Sequence, residues 1–393
     1  MARKRPLGSA GTVVILEHHS RVLEGNPLGD PHVRRLAVWL PAEYEAGRGG
    51  PGRRFPVLYD MVGFTSTGPA HLNWKPFSEN AAERAARLVR DGRMGPVILV
   101  FPDCFTALGG NQYVNSSAIG PYADYLLEEI IPFIDREFRT LASREHRGCF
   151  GKSSGGYGAI IHGMKYASHW GAIANHSGDA YFDFLYRADW PNTLNELAKY
   201  RRPPRKAGPV PPPRETAAER GLQLGHDDGR VRRFLDAMWA KHKLTHGEGH
   251  AIMNVCMAAT YDPDPRAPLG FRIPFHMDTG ELIEGNWRRW LEHDPVRLVT
   301  RHARSLRRLK GIYIDCGWRD QYHIHFGTRQ LSRRLAEAGI AHRYEEFDDD
   351  HSDVDYRMET SLPFLYRALQ PWRDRGSGSH SAAGRRGAGR TSA

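Results

Sequence analysis

A mainly parallel β-sheet with helices on both faces is the fold class this chain predicts, and three observations carry that expectation. Short apolar runs alternate with helix-like segments along most of the 393 residues. The runs are near-continuously hydrophobic, as strands buried on both faces must be. One of them breaks at Gly151-Lys152-Ser153-Ser154-Gly155 and resumes as a helical pattern, a strand, tight turn and helix in immediate succession.

In chain order, strands are expected at Leu36 to Leu40, Phe55 to Asp60, Val97 to Phe101, Ala172 to Ala174 and Gly311 to Asp315, with a further strand-like run from Ala341 to Phe347. Helices are expected at Phe77 to Val89, Tyr122 to Phe138, Ser154 to Tyr166, Gly327 to Ala338 and Glu359 to Leu369. In the third of these, Ala159, Ile160, Gly163, Met164 and Ala167 recur at three- and four-residue spacing, the signature of a buried helix face. Arg147 to Phe150 supply the strand before it, after the polar turn Ser143 to His146.

Residues 185 to 290 interrupt the rhythm. Arg201 to Arg214 is proline-rich and extended in expectation, whereas Val231 to His242 suits an amphipathic helix. An insertion here can overhang the carboxyl ends of the strands, where α/β proteins place their sites, and is a candidate lid. The expected organisation is a basic tail over 1–15, a catalytic domain over 16–184 and 291–371, the insertion over 185–290, and a disordered basic tail over 372–393. That last stretch has no apolar cluster.

Of the net charge of +10, three positive charges lie in residues 1 to 5 and four in residues 375 to 393, so the body is nearly balanced. No nucleic-acid-binding motif accompanies the charge, and nucleic acid is not an expected partner. Cys104, Cys149, Cys256 and Cys316 are scattered, with no C-x-x-C pair to suggest zinc or a disulfide framework. The apolar run Thr12 to Leu16 is too short for a signal-peptide core and no stretch approaches a membrane span, so a cytoplasmic, reduced protein with no membrane partner is expected. Nothing in the sequence calls for a cofactor or a metal. His242, His246 and His250 share four-residue spacing, but Gly247 and Gly249 argue for a solvated loop there.

The G-x-S-x-G turn reads as a nucleophile elbow with Ser153 at its tip. A serine hydroxyl reacts only when lifted clear of the backbone and placed beside a base, and a strained strand-to-helix turn does the lifting. The base and its orienter should follow in the order acid, then histidine. His351 lies in the polar loop after Ala341 to Phe347, and an imidazole with an unperturbed pKa of about 6.5 can take and return a proton near neutrality. Asp320, in the loop beyond Gly311 to Asp315, is favoured over Asp315 as its partner. Asp348, Asp349 and Asp350 are candidates for tuning His351 or capping the next helix. For a tetrahedral oxyanion, the donors should be the N–H of Ser154 and that of Phe64, with Gly63 permitting close approach.

These residues resemble the putative-esterase branch of the α/β-hydrolases, which takes in esterase D, enterochelin esterases, feruloyl esterases and mycobacterial mycolyltransferases. The resemblance rests on Phe55 to Tyr59 leading into Gly63-Phe64, on Phe101-Pro102-Asp103, on Gly151 to Gly158, and on Asp320 and His351. It covers roughly 30 to 185 and 290 to 370. It implies an α/β-hydrolase fold, a triad of Ser153, Asp320 and His351, and an oxyanion hole of Phe64 and Ser154. Many relatives carry histidine where this chain has Val62 and Lys152. Lys152 is a candidate for an anionic substrate group, and Tyr113, Asn115 and Ser116 are candidate substrate contacts. His323 and His325 alternate near Asp320 and are further candidates for lining the site. The function expected is a serine carboxylesterase acting on a small-molecule ester through an acyl-enzyme. An acyltransferase with the same triad and a catalytically silent scaffold are the alternatives.

Overall fold

A computed structural model describes residues 11–45, 52–202 and 228–370. Eight strands form one sheet: β1 Thr12–His19, β2 Val33–Leu40, β3 Val57–Met61, β4 Ile98–Pro102, β5 Arg147–Lys152, β6 Ala172–His176, β7 Gly311–Gly317 and β8 Arg343–Phe347. Their spatial order is β1-β2-β4-β3-β5-β6-β7-β8. The β1–β2 and β2–β4 pairings are antiparallel and all others parallel.

The inner strands β3 to β7 are buried on both faces, which suits their largely apolar runs, whereas the edge strand β8 is half-exposed. Successive residues serve two cores. Tyr59, Cys149, Ile173 and Ile314 pack into one, while Leu58, Phe150, Ala172, Ala174 and Tyr313 pack into the other. Main helices flanking the sheet are α1 Ala81–Arg90, α2 Ile131–Glu137, α3 Ser154–Lys165, α8 Pro295–Leu306, α9 Ile324–Glu337 and α10 Met358–Leu369; between them come α4 Trp190–Ala198, α5 Arg230–Trp239, α6 His246–Tyr261 and α7 Glu284–Leu291.

Several expectations change in detail. Of the tail expected over 1–15, Thr12 to Ile15 belong to β1, a half-exposed edge strand, and residues 1–10 lie outside the described residues. Helix α1 starts at Ala81 rather than Phe77: Asn80 accepts from the Glu83 N–H at 2.9 Å while Glu83 accepts from the Asn80 N–H at 3.0 Å, a capping box that sets the start. The segment expected as one helix from Tyr122 widens into a π-helix over Tyr125–Ile130. There the Ile131 N–H reaches back to the Leu126 carbonyl, just before Pro132, whose ring cannot donate and would crowd a tighter turn.

Within the insertion, Gly247 and Gly249 do not make a loop. They occupy the first turn of α6, where a second capping box, Thr245 with Glu248, offsets the roughly 1 kcal/mol that each glycine costs. The proline-rich run and the C-terminal tail lie largely or wholly outside the described residues. Among the described residues no helix is long and apolar enough to cross a membrane.

Candidate active site

Ser153 sits between β5 and α3 with φ 57° and ψ −124°, a conformation L-residues rarely adopt. Its neighbours explain the glycines. A Cβ on Gly151 would lie 2.0 Å from the Met61 carbonyl oxygen, and one on Gly155 would lie 1.6 Å from the same atom, so no side chain fits at either position. The Ser153 N–H donates to the His176 carbonyl at 3.0 Å, tying the elbow to β6.

The loop after β8 brings His351 to the same cavity, about 500 Å³ in volume, that Ser153 lines. His351 Nδ1 lies 2.7 Å from Asp320 Oδ2. A carboxylate only accepts, so Nδ1 carries the proton and Nε2 is left as the basic nitrogen. Asp320 is fully buried in its side chain and its other oxygen accepts from the Tyr322 N–H at 2.9 Å, which holds its orientation. Asp315 is committed elsewhere, to His176 Nδ1 at 2.6 Å and Arg357 Nε at 2.8 Å. Asp348 pairs with Arg319, Asp349 accepts from the Tyr356 hydroxyl and Asp350 accepts from the Ser352 N–H, so none of the three turns to the imidazole.

Ser154 and the loop at Gly63-Phe64 flank Ser153. Ser154 occupies the first position of α3, where amides have no intrahelical acceptor. Gly63 and Phe64 line the cavity, and a Cβ on Gly63 would come within 3.3 Å of the Lys152 carbonyl, so glycine lets the loop press against the elbow. That loop is pinned by the Thr65 N–H to Gly109 and by the Tyr113 hydroxyl, which donates to the Val62 carbonyl at 2.7 Å.

Lys152 lines the cavity and donates to the His351 carbonyl at 2.9 Å, while burial lowers its pKa. Its side chain thereby steadies the histidine loop. Tyr113, Asn115 and Ser116 do not reach this cavity, contrary to expectation. Tyr113 packs against Gly158, Asn115 bonds Asp124 and the Ala123 N–H, and Ser116 donates to the Ala259 carbonyl. All three spend their polar atoms on holding loops. His323 and His325 also lie outside the cavity lining, His325 with its ring tilted against Phe326.

The insertion, expected as a candidate lid, supplies one wall of the cavity, through residues that no sequence feature assigned to the site. His246, Gly249, His250 and Met253 of α6 line the cavity with Leu185, Tyr186 and Asp179. His250 stacks on Tyr322, which in turn meets the His351 ring edge-on at 4.8 Å. On another side, burial opposes protonation of His71, yet Asp60 at 2.7 Å outweighs it and raises the pKa. Lys75 pairs with Asp355 at 2.8 Å. Capping-box residues before an apolar run were the available signal for α6; nothing local marks Asp179. Among the described residues no group of three histidine, cysteine or acidic side chains is arranged to hold a metal.

Comparison with known proteins places the chain. Two Mycobacterium tuberculosis proteins, Esterase Rv1288 and Esterase MT1326, are each 32% identical to it over 164 residues, which is 39% of this chain and 32% of theirs, so the match spans about a third of those relatives' length. A ferulic acid esterase structure superposes with a TM-score of 0.54 at 18% identity, covering 91% of this chain and 98% of its own. An S-formylglutathione hydrolase from Agrobacterium tumefaciens gives 0.52 at 16%, covering 93% and 98%. These neighbours share the α/β-hydrolase fold. Residues 31–360 match the family model described as "Putative esterase", and the chain belongs to that family.

Proposed function

We propose that this protein is a serine carboxylic-ester hydrolase that works through an acyl-enzyme. Ser153 attacks the ester carbonyl as His351 Nε2 takes its proton; Asp320 holds the imidazole and steadies it once charged. The N–H groups of Phe64 and Ser154 receive the developing oxyanion. The protonated His351 then releases the alcohol, and water, activated by the same nitrogen, frees the acid. The observation that carries this reading is the convergence of a strained, glycine-flanked Ser153 and an Asp320-oriented His351 on one cavity. The acyl-acceptor position is open to an alcohol as well as to water, and the acid released against ester formed with added alcohols separates the two outcomes.

The test is intact-protein mass after exposure to a fluorophosphonate, with Ser153→Ala beside the parent. One adduct, absent from the variant, supports an activated Ser153. A folded parent that takes no adduct overturns the assignment.

A further inference from the structure

Asp179 is 4% exposed, yet it lines the cavity that holds Ser153 and His351. Gln112 Nε2 at 3.1 Å and the Tyr186 hydroxyl at 2.6 Å both donate to its Oδ2. Among the described residues no bond is made by Oδ1, and no lysine or arginine pairs with the carboxyl. A buried acid without a counter-charge is costly unless something completes it. The proposed reaction leaves Asp179 without a part to play, because His351 shuttles the proton and Asp320 orients His351.

Resting on the serine-esterase reading, we propose that Asp179 is a specificity residue whose free oxygen hydrogen-bonds a hydroxyl group on the substrate. The class follows from the surroundings. An anionic substituent would repel the acid. A cation would sit near the His351 imidazole, which must itself become positive during the reaction. A hydroxyl avoids both costs, and because it donates and accepts it matches the carboxyl with or without its proton. Burial raises the Asp179 pKa against the pull of Tyr186, Gln112 and the nearby His351. Leu185 and Met253, also in the lining, would cover the carbon chain carrying the hydroxyl.

The experiment compares kcat/KM for matched ester pairs, with and without a terminal hydroxyl, over a ladder of chain lengths on the acyl side and then on the alcohol side. In the parent the hydroxylated member should win by about 10-fold at one length, and Asp179→Leu should erase that preference. Fluorophosphonate labelling of Ser153 in every sample separates failure of this inference from failure of the esterase reading. Asp179→Leu also strands the Tyr186 and Gln112 donors, so Asp179→Asn is run with it. Its amide oxygen can keep both donors and turn an N–H towards the cavity, so at alkaline pH it should lose the parent's preference for hydroxyl over methoxy. The inference is overturned if a labelled parent shows no hydroxyl preference at any length, or if the preference survives in both variants.

Discussion

Among the described residues, two histidine–aspartate pairs share their surroundings with a serine, and the His351–Asp320 pair opens onto a cavity. In the first, Ser153 and His351 line the cavity and His351 meets Asp320 at 2.7 Å. In the second, Ser361 Oγ lies 2.8 Å from His176 Nε2, and His176 Nδ1 lies 2.6 Å from Asp315 Oδ1. By hydrogen-bond geometry the second is at least as well formed. It is nonetheless sealed, with Ser361 and Asp315 at 0% exposure and Arg357 and Tyr313 closing the acid's far side. Ser361 also sits on the regular helix α10, without the strained φ that projects Ser153. A proton relay therefore does not make a nucleophile. Under the proposed function, access and a projected hydroxyl do, and those belong to the elbow.

The contrast can be broken or sharpened by substitution. Ser153→Ala should lower ester turnover on the order of 10⁴-fold or more, whereas loss of Ser361 should not; steady-state kinetics on the two purified variants decides. Asp320→Asn should cost kcat about 10⁴-fold by presenting the wrong tautomer, with little change in melting temperature. Asp315→Asn should do the reverse. It breaks a buried ion pair with Arg357 and the hydrogen bond with His176, and should cost about 3 to 5 kcal/mol in denaturant unfolding, while each molecule still folded turns over ester at close to the parent rate. Ser361→Ala should cost about 1 to 3 kcal/mol by leaving His176 Nε2 unpaired, with fluorophosphonate labelling of Ser153 intact. Equal catalytic losses in the two series would dissolve the distinction.

Acid offers a subtler probe. Burial alone would raise the Asp315 pKa, but His176 and Arg357 outweigh it and hold the carboxyl below its ordinary value. The stability it contributes is then complete above the unfolded value of about 3.9 and is lost as pH falls through the lower folded value. Melting temperature followed downwards from about pH 5 should therefore drop less steeply in Asp315→Asn than in the parent.

The first of these constellations was legible in the sequence and the second was not, for a physical reason. Gly151 and Gly155 leave a trace because the backbone of β3 passes within contact distance and forbids a side chain. Asp320 and His351 follow from their places after strands. Ser361, His176 and Asp315 lie inside regular elements, where a polar residue facing a buried partner looks like any other. The insertion was legible only as an interruption. Whether α6 would form despite two glycines depended on Thr245 and Glu248, and which wall it would build depended on contacts far away in the chain. Tyr113, Asn115 and Ser116 were misjudged for the same cause: proximity to a strand end says nothing about which loop a side chain holds.

Helix α6 carries one more implication. Its first two turns line the cavity, but the rest of it is sunk in the protein: Met257 meets Gln112, Ser116 donates to Ala259, and Val255, Cys256 and Ala258 are wholly buried. Such a wall cannot swing on a hinge without tearing open the interior. Traffic must pass through gaps that exist at rest, so turnover should show no lag on mixing, and excising the insertion should yield a chain that aggregates instead of a more permissive enzyme.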